Sequence, residues 1–206
     1  MGRCLIISGG DYSPIGDAIT YDYVIACDLG YEYALKMGIR PDIMVSDFDS
    51  LDKDEFSYDI PLLEFPVRKD DSDTMLAIKH ALDKGYDHLI ICCALGGRLD
   101  HTIANIQGMA YAARNGALCE IISENEYLRT FTGGEMILPK KEGFSLSLYS
   151  ITDACDNVSI TGSAYDISGM TMTNSFPLGL SNYWKEDRVK VTMSEGIMLV
   201  VESLIK

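Results

Sequence analysis

The sequence predicts an α/β domain, an open and mostly parallel sheet with flanking helices, followed by an antiparallel β-sandwich domain. Two textures of hydrophobic patterning carry this reading. Up to about residue 125, short apolar and partly β-branched runs alternate with helix-like stretches, as in a parallel sheet covered on both faces. Beyond about residue 126, apolar and polar residues alternate at period 2, glycines and asparagines punctuate the pattern, and no stretch reads as a helix. The 206 residues leave room for two small domains, which the change of texture places at 1–126 and 127–206.

In chain order, strands are expected at 5–8, 23–27, 43–46, 62–67, 89–95 and 119–122. A short helix follows Asp28 and stops at Gly38. A longer one starts near Ser72, carries Ile78, Ala81 and Leu82 on one face and ends at Gly85. The next starts near Asp100, with Ile103, Ile106, Ala110 and Ala113 in register and Gly116 as its stop. In the second domain the alternation is clearest at Phe144, Leu146 and Leu148, then Val158 and Ile160, then Val189, Val191 and Met193.

Composition removes several classes of function. Hydrophobic residues make up 47% and charged residues 23%, a soluble globular balance. No apolar run approaches the roughly 20 residues that span a bilayer. The opening MGRCLIISGG reads as a first strand, not a leader. The six cysteines lie mostly in apolar runs without C-x-x-C spacing, as reduced core residues of a cytoplasmic protein do. The three histidines form no zinc pattern with them. A formal charge of −14 with no Lys/Arg cluster argues against a nucleic-acid binder. So acidic a chain holds polyphosphate only with cations between the two sets of negative charges.

In open parallel sheets the ligand crevice lies beyond the carboxyl ends of the strands. Four of the expected strands deliver acids there: Asp28; Asp47 and Asp49 in SDFDS; Asp70, Asp71 and Asp73 in KDDSD; and Asp100 in GGRLDH. Taken singly, Asp28, Asp71 and Asp100 are better explained by helix capping, with Ser72 an alternative cap to Asp71. SDFDS has no helix after it to cap. Together the acids would repel unless cations bridged them, and hard oxygen donors suit Mg2+. Gly96, Gly97 and Arg98 offer backbone N–H groups and a guanidinium to phosphate oxygens, and Lys69 adjoins the acids. There is no nucleophile elbow, catalytic triad or P-loop lysine motif, so metal-assisted transfer to a hydroxyl acceptor fits what remains.

These motifs resemble the thiamine pyrophosphokinase family. SDFDS is similar to its G-D-F-D-S, KDDSDT to its K-D-x-T-D-T, and GGRLDHTIAN to its G-G-R-x-D-H-x-x-x-N. In the second domain, residues 162–165 and Gly179-Leu180-Ser181-Asn182 resemble the glycine-to-aromatic segment and the G-x-S-N motif of the thiamine site. Ser46 and Ser72 replace a usual glycine and threonine, Met75 stands where an acidic residue is frequent, and no carboxylate that the chemistry needs is lost.

The resemblance implies transfer of the diphosphoryl group of ATP to the hydroxyl of thiamine, giving thiamine diphosphate and AMP. It implies Mg2+ on Asp47, Asp49, Asp73 and Asp100, with Asp28 nearby. ATP contacts would come from Arg98, Lys69, Gly96, Gly97, His101 and Asn105. Ser181 and Asn182 would meet the aminopyrimidine, and Tyr165 or Trp184 would stack on the thiazolium. It further implies a homodimer with the active site at the subunit interface. Three other readings share the acidic rim: a pyrophosphokinase with another acceptor such as a hydroxymethyl pterin, a non-catalytic thiamine- or nucleotide-binding regulator, and a metal-dependent phosphohydrolase.

Overall fold

The structure, a computed structural model, describes residues 2–16, 18–46, 60–64 and 71–205. The chain divides into two units, Met1–Glu124 and Asn125–Lys206.

In the first unit the strands are β1 (Arg3–Ile7), β2 (Tyr23–Cys27), β3 (Ile43–Ser46), β4 (Leu62–Glu64), β5 (His88–Cys92) and β6 (Leu118–Ile122). The helices are α1 (Gly30–Lys36), α2 (Asp73–Asp83) and α3 (Leu99–Arg114). All six strands pair in parallel, in the order β4-β3-β2-β1-β5-β6. The central strands are apolar after their first residue because both faces are covered: Leu5, Ile6 and Ile7 of β1 and Leu89, Ile90 and Ile91 of β5 are wholly buried. Each such side chain contributes roughly 1.5–3 kcal/mol through removal from water. Strand order reverses between β1 and β5, so their carboxyl ends flank the crevice at which such sheets take ligands.

Of the strand expected at 62–67 the structure describes β4, and residues 65–67 lie outside the described residues. Two other expectations change. The strand expected to reach Leu95 stops at Cys92, because Cys93 turns into the left-handed region at φ +54°. The packed face of α3 is rotated from the one expected. It comprises Asn105, Gly108, Met109, Ala112 and Ala113, whereas Ile103 is half exposed. The cause lies in Gly108, where a Cβ would come 2.8 Å from Cδ1 of Ile78. Small residues let α3 approach α2 closely, and that contact outweighs the helix's own apolar stripe.

The second unit has β7 (Glu126–Phe131), β8 (Gly134–Pro139), β9 (Phe144–Ser150), β10 (Ala154–Thr161), β11 (Ile167–Thr173), β12 (Gly179–Asn182), β13 (Arg188–Met193) and β14 (Met198–Leu204). They form two antiparallel layers, β12-β9-β14-β7 and β11-β10-β13-β8. Leu146, Leu148 and Val200 from one layer meet Val158, Ile160, Val189 and Val191 from the other in a single core. The period-2 pattern therefore does produce a sandwich. All six cysteines are buried and free.

Candidate active site

A cleft of about 790 Å3 opens in the first unit beyond the carboxyl ends of β1, β2 and β5. Main-chain bonds tie together two of the loops at its edge. The N–H of Gly10 donates to the carbonyl of Cys93 at 2.7 Å, and that of Asp11 to Leu95 at 3.0 Å, joining the loops after β1 and β5. A Cβ on Gly10 would lie 2.7 Å from one of those carbonyl oxygens and 2.8 Å from the other, so only glycine permits the approach. The Ser8 and Thr74 hydroxyls, 2.7 Å apart and buried, hold the first turn of α2 against the end of β1.

Each expected site residue of this unit has a definite place, or lies outside the described residues, as Asp47, Asp49, Lys69 and Asp70 do. Asp28, Asp71, Asp73, Gly96, Gly97, Arg98, His101 and Asn105 line the cleft. Asp28 sits at φ +45° before α1, which opens at Leu29 without a side-chain cap. Ser72, not Asp71, caps α2: its hydroxyl accepts from the N–H of Met75 at 3.3 Å. Asp71 instead takes the ammonium of Lys79 at 2.6 Å, which raises the lysine's pKa. Asp73 is the first residue of α2. The N-cap position of α3 is Arg98, so Asp100 is not the cap expected of it. Neither Asp28 nor Asp100 stands at an N-cap position, although Asp100 lies in the first turn of α3 and accepts the N–H of His101 there.

Asp100 is not part of the cleft lining. Arg98 grips it with both arms of the guanidinium, Nε to Oδ1 at 3.1 Å and Nη2 to Oδ2 at 2.5 Å. That grip lowers the aspartate's pKa and raises the arginine's, and both side chains are exposed. The N–H of His101 also donates to Asp100. Asn105, buried, donates to the carbonyl of Ala94 at 2.7 Å and braces the loop in which Gly96 and Gly97 take positive φ.

Sequence reasoning missed Asp11, although it follows directly on the glycine pair after β1. Its carboxylate fills the space beside Gly96, where a Cβ would collide with it. It also missed Tyr31 and Tyr33, which with Leu29 make the α1 wall of the cleft. Asp11, Asp28, Glu32, Asp71 and Asp73 thus face one cavity, together with an arginine already paired to an acid. Among the described residues no three His, Cys, Asp or Glu side chains are grouped to hold a metal. The donors present are carboxylate oxygens, the type Mg2+ takes.

In the second unit Ser181 is exposed at φ +57°, with its N–H on the hydroxyl of Ser147 at 3.0 Å. Tyr165 is 65% exposed, its ring edge-on to Tyr183 at 6.1 Å. Trp184 belongs to the sandwich core, 5% exposed, with its indole N–H on the carbonyl of Leu138 at 3.0 Å. Of the two aromatic candidates, only Tyr165 presents a ring to solvent. Asn182 is buried and fully engaged within the chain.

Comparison with known proteins assigns both units. The family model for the thiamin pyrophosphokinase catalytic domain matches residues 19–121, and that for the thiamin pyrophosphokinase vitamin B1 binding domain matches residues 135–198. The chain is 27% identical to thiamine pyrophosphokinase of Bacillus subtilis (strain 168) over 207 residues, 96% of this chain and 97% of the relative. The fold is that of the crystal structure of the Bacillus subtilis thiamine pyrophosphokinase, at TM-score 0.86 and 24% identity, covering 99% of this chain and 100% of that one. A thiamin pyrophosphokinase family protein from Enterococcus faecalis superposes at TM-score 0.83 and 25% identity, covering 99% and 100%. The Candida albicans thiamin pyrophosphokinase does so at 0.79 and 15%, covering 98% and 89%.

Proposed function

The chain belongs to the thiamin pyrophosphokinase family, and from that we infer an ATP-dependent enzyme that makes thiamine diphosphate and AMP from thiamine. One observation carries the reading. A carboxylate-lined cleft with a glycine–arginine loop stands at the reversal of strand order in the unit that matches the catalytic domain. The cleft holds more acids than cations, so it takes a triphosphate only with added positive charge. We propose that Asp73 and, on release from Arg98, Asp100 would hold Mg2+ together with Asp47 and Asp49 of SDFDS, and that its charge would offset that of the phosphate oxygens.

The protein's own groups supply position and a proton acceptor. The N–H groups of Gly96 and Gly97 and the forked guanidinium of Arg98 suit phosphate oxygens. The acceptor's hydroxyl oxygen attacks the β-phosphorus, the bond from that phosphorus to the α-phosphate oxygen breaks, and AMP leaves. The hydroxyl proton passes to a carboxylate, Asp73 or Asp100. On the second unit, the exposed ring of Tyr165 offers a face to the cationic thiazolium, an interaction of about 0.5–2 kcal/mol.

The finer reading is a cytoplasmic homodimer with its active site shared between subunits; among the described residues no helix is long and apolar enough to cross a membrane. The test of the reaction is incubation with ATP, Mg2+ and thiamine, with the nucleotide product identified. AMP formed only when thiamine is present supports the reading. ADP, or hydrolysis independent of thiamine, refutes it.

A further inference from the structure

The amide of Asn182, 4% exposed, makes four hydrogen bonds inside the chain. Its Nδ2 donates to Oγ of Ser163 at 3.0 Å and to the carbonyl of Tyr165 at 3.1 Å. Its Oδ1 accepts from the N–H of Tyr165 at 3.1 Å and of Tyr183 at 2.9 Å. Two hydrogens and two lone pairs are all that a primary amide has. Asn182 therefore has no group left for a ligand unless this network is dismantled.

The network ends on an acid. Ser163, 3% exposed, donates its hydroxyl to Oδ1 of Asp166 at 2.8 Å and its N–H to the same oxygen at 2.9 Å. An ionised carboxylate only accepts, so the single hydroxyl hydrogen of Ser163 points to Asp166 and a lone pair faces Asn182. Asp166 thus sets the direction of the chain: amide to hydroxyl to carboxylate. That direction leaves Oδ1 of Asn182 aimed at the two backbone N–H groups. The turn is fixed at its other end by Gly162, at φ +82°, where a Cβ would collide with the carbonyl of Arg188. What this frame carries outward is the ring of Tyr165, set edge-on to Tyr183.

We propose that Asp166, acting through Ser163 and Asn182, is a positioning residue for Tyr165, and that Asn182 serves acceptor binding by holding that ring. The inference rests on the reading that the second unit binds thiamine.

The test uses the full chain with Asp166→Ala, Asp166→Asn and Ser163→Ala. KM for thiamine, KM for ATP, kcat and the melting temperature are measured for each. Asp166→Ala and Ser163→Ala are expected to raise KM for thiamine about tenfold, the scale of one cation–π contact, with KM for ATP within about twofold. Asp166→Asn keeps an acceptor oxygen and restores most of the loss. An unchanged KM for thiamine in Asp166→Ala overturns the proposal. So does Asp166→Asn as damaging as Asp166→Ala, which would assign the role to charge, or KM for ATP and melting temperature moving in step with KM for thiamine. A wild-type protein that forms no AMP with thiamine refutes the functional reading itself, a different result from any of these.

Discussion

Glu202 is an acid in the core of the sandwich. It is 2% exposed and follows Met198 and Val200 on the inward face of β14. Its carboxylate accepts from Nζ of Lys141 at 2.8 Å and from Nη2 of Arg129 at 3.2 Å. Lys141 lies in turn 3.3 Å above the ring of Tyr127. Glu202→Gln keeps the shape and removes the charge. Breaking a fully buried pair costs about 3–5 kcal/mol, because the partner is left unpaired in a dry site. Here the cations are 26% and 32% exposed and recover some hydration, so we take about 2 kcal/mol. Trp184 is the only tryptophan and lies in the same core, so its fluorescence in a urea titration follows the unfolding of this unit. The midpoint should fall without a change in slope. Lys141→Met combined with Glu202→Gln should cost less than the sum of the two, by about 1 kcal/mol. A loss under about 0.5 kcal/mol for Glu202→Gln, or full additivity with Lys141→Met, would refute the argument that this acid is held by its cations.

Two further outcomes test the first unit. Asp49→Asn and Asp100→Asn should each lower turnover at least ~100-fold while circular dichroism stays that of the wild type, since electrostatic terms dominate such transfers; near-normal rates in both would remove the proposed Mg2+ ligands. Gly30→Ala should destabilise this unit by about 2 kcal/mol, because the added Cβ collides with the carbonyl of Ile7 where α1 meets β1. Thermal melting followed by circular dichroism checks it, and a wild-type melting temperature would contradict the close approach.

The sheet of the first unit was legible because buried parallel strands are apolar on both faces, as the CLII of β1 and the LIIC of β5 are. The sandwich was legible from parity. Parity also puts Asn182 and Trp184 on one inward face, a signal that the polar neighbours of Trp184 obscured. The face of α3 could not be read from α3, since it depends on how closely α2 approaches Gly108. Helix capping was a fair account of Asp28 and Asp100 until local geometry gave the cap position of α3 to Arg98 and opened α1 without a side-chain cap. The saturation of Asn182 is set by partners up to 19 residues away, beyond the reach of any local pattern. Asp11 escaped because the glycine pair before it suggested a turn and nothing more.

The two backbone bonds that tie Gly10 to Cys93 and Asp11 to Leu95 have an effect on how this protein can vary. A link drawn in peptide groups holds whatever side chains surround it, provided Gly10 is kept. Mutational drift can therefore rewrite the walls of the cleft, the α1 tyrosines among them, without breaking that link. If the cleft takes the nucleotide as proposed, variation in nucleotide preference should collect on those walls, while the spacing of the β1 and β5 loops should hold.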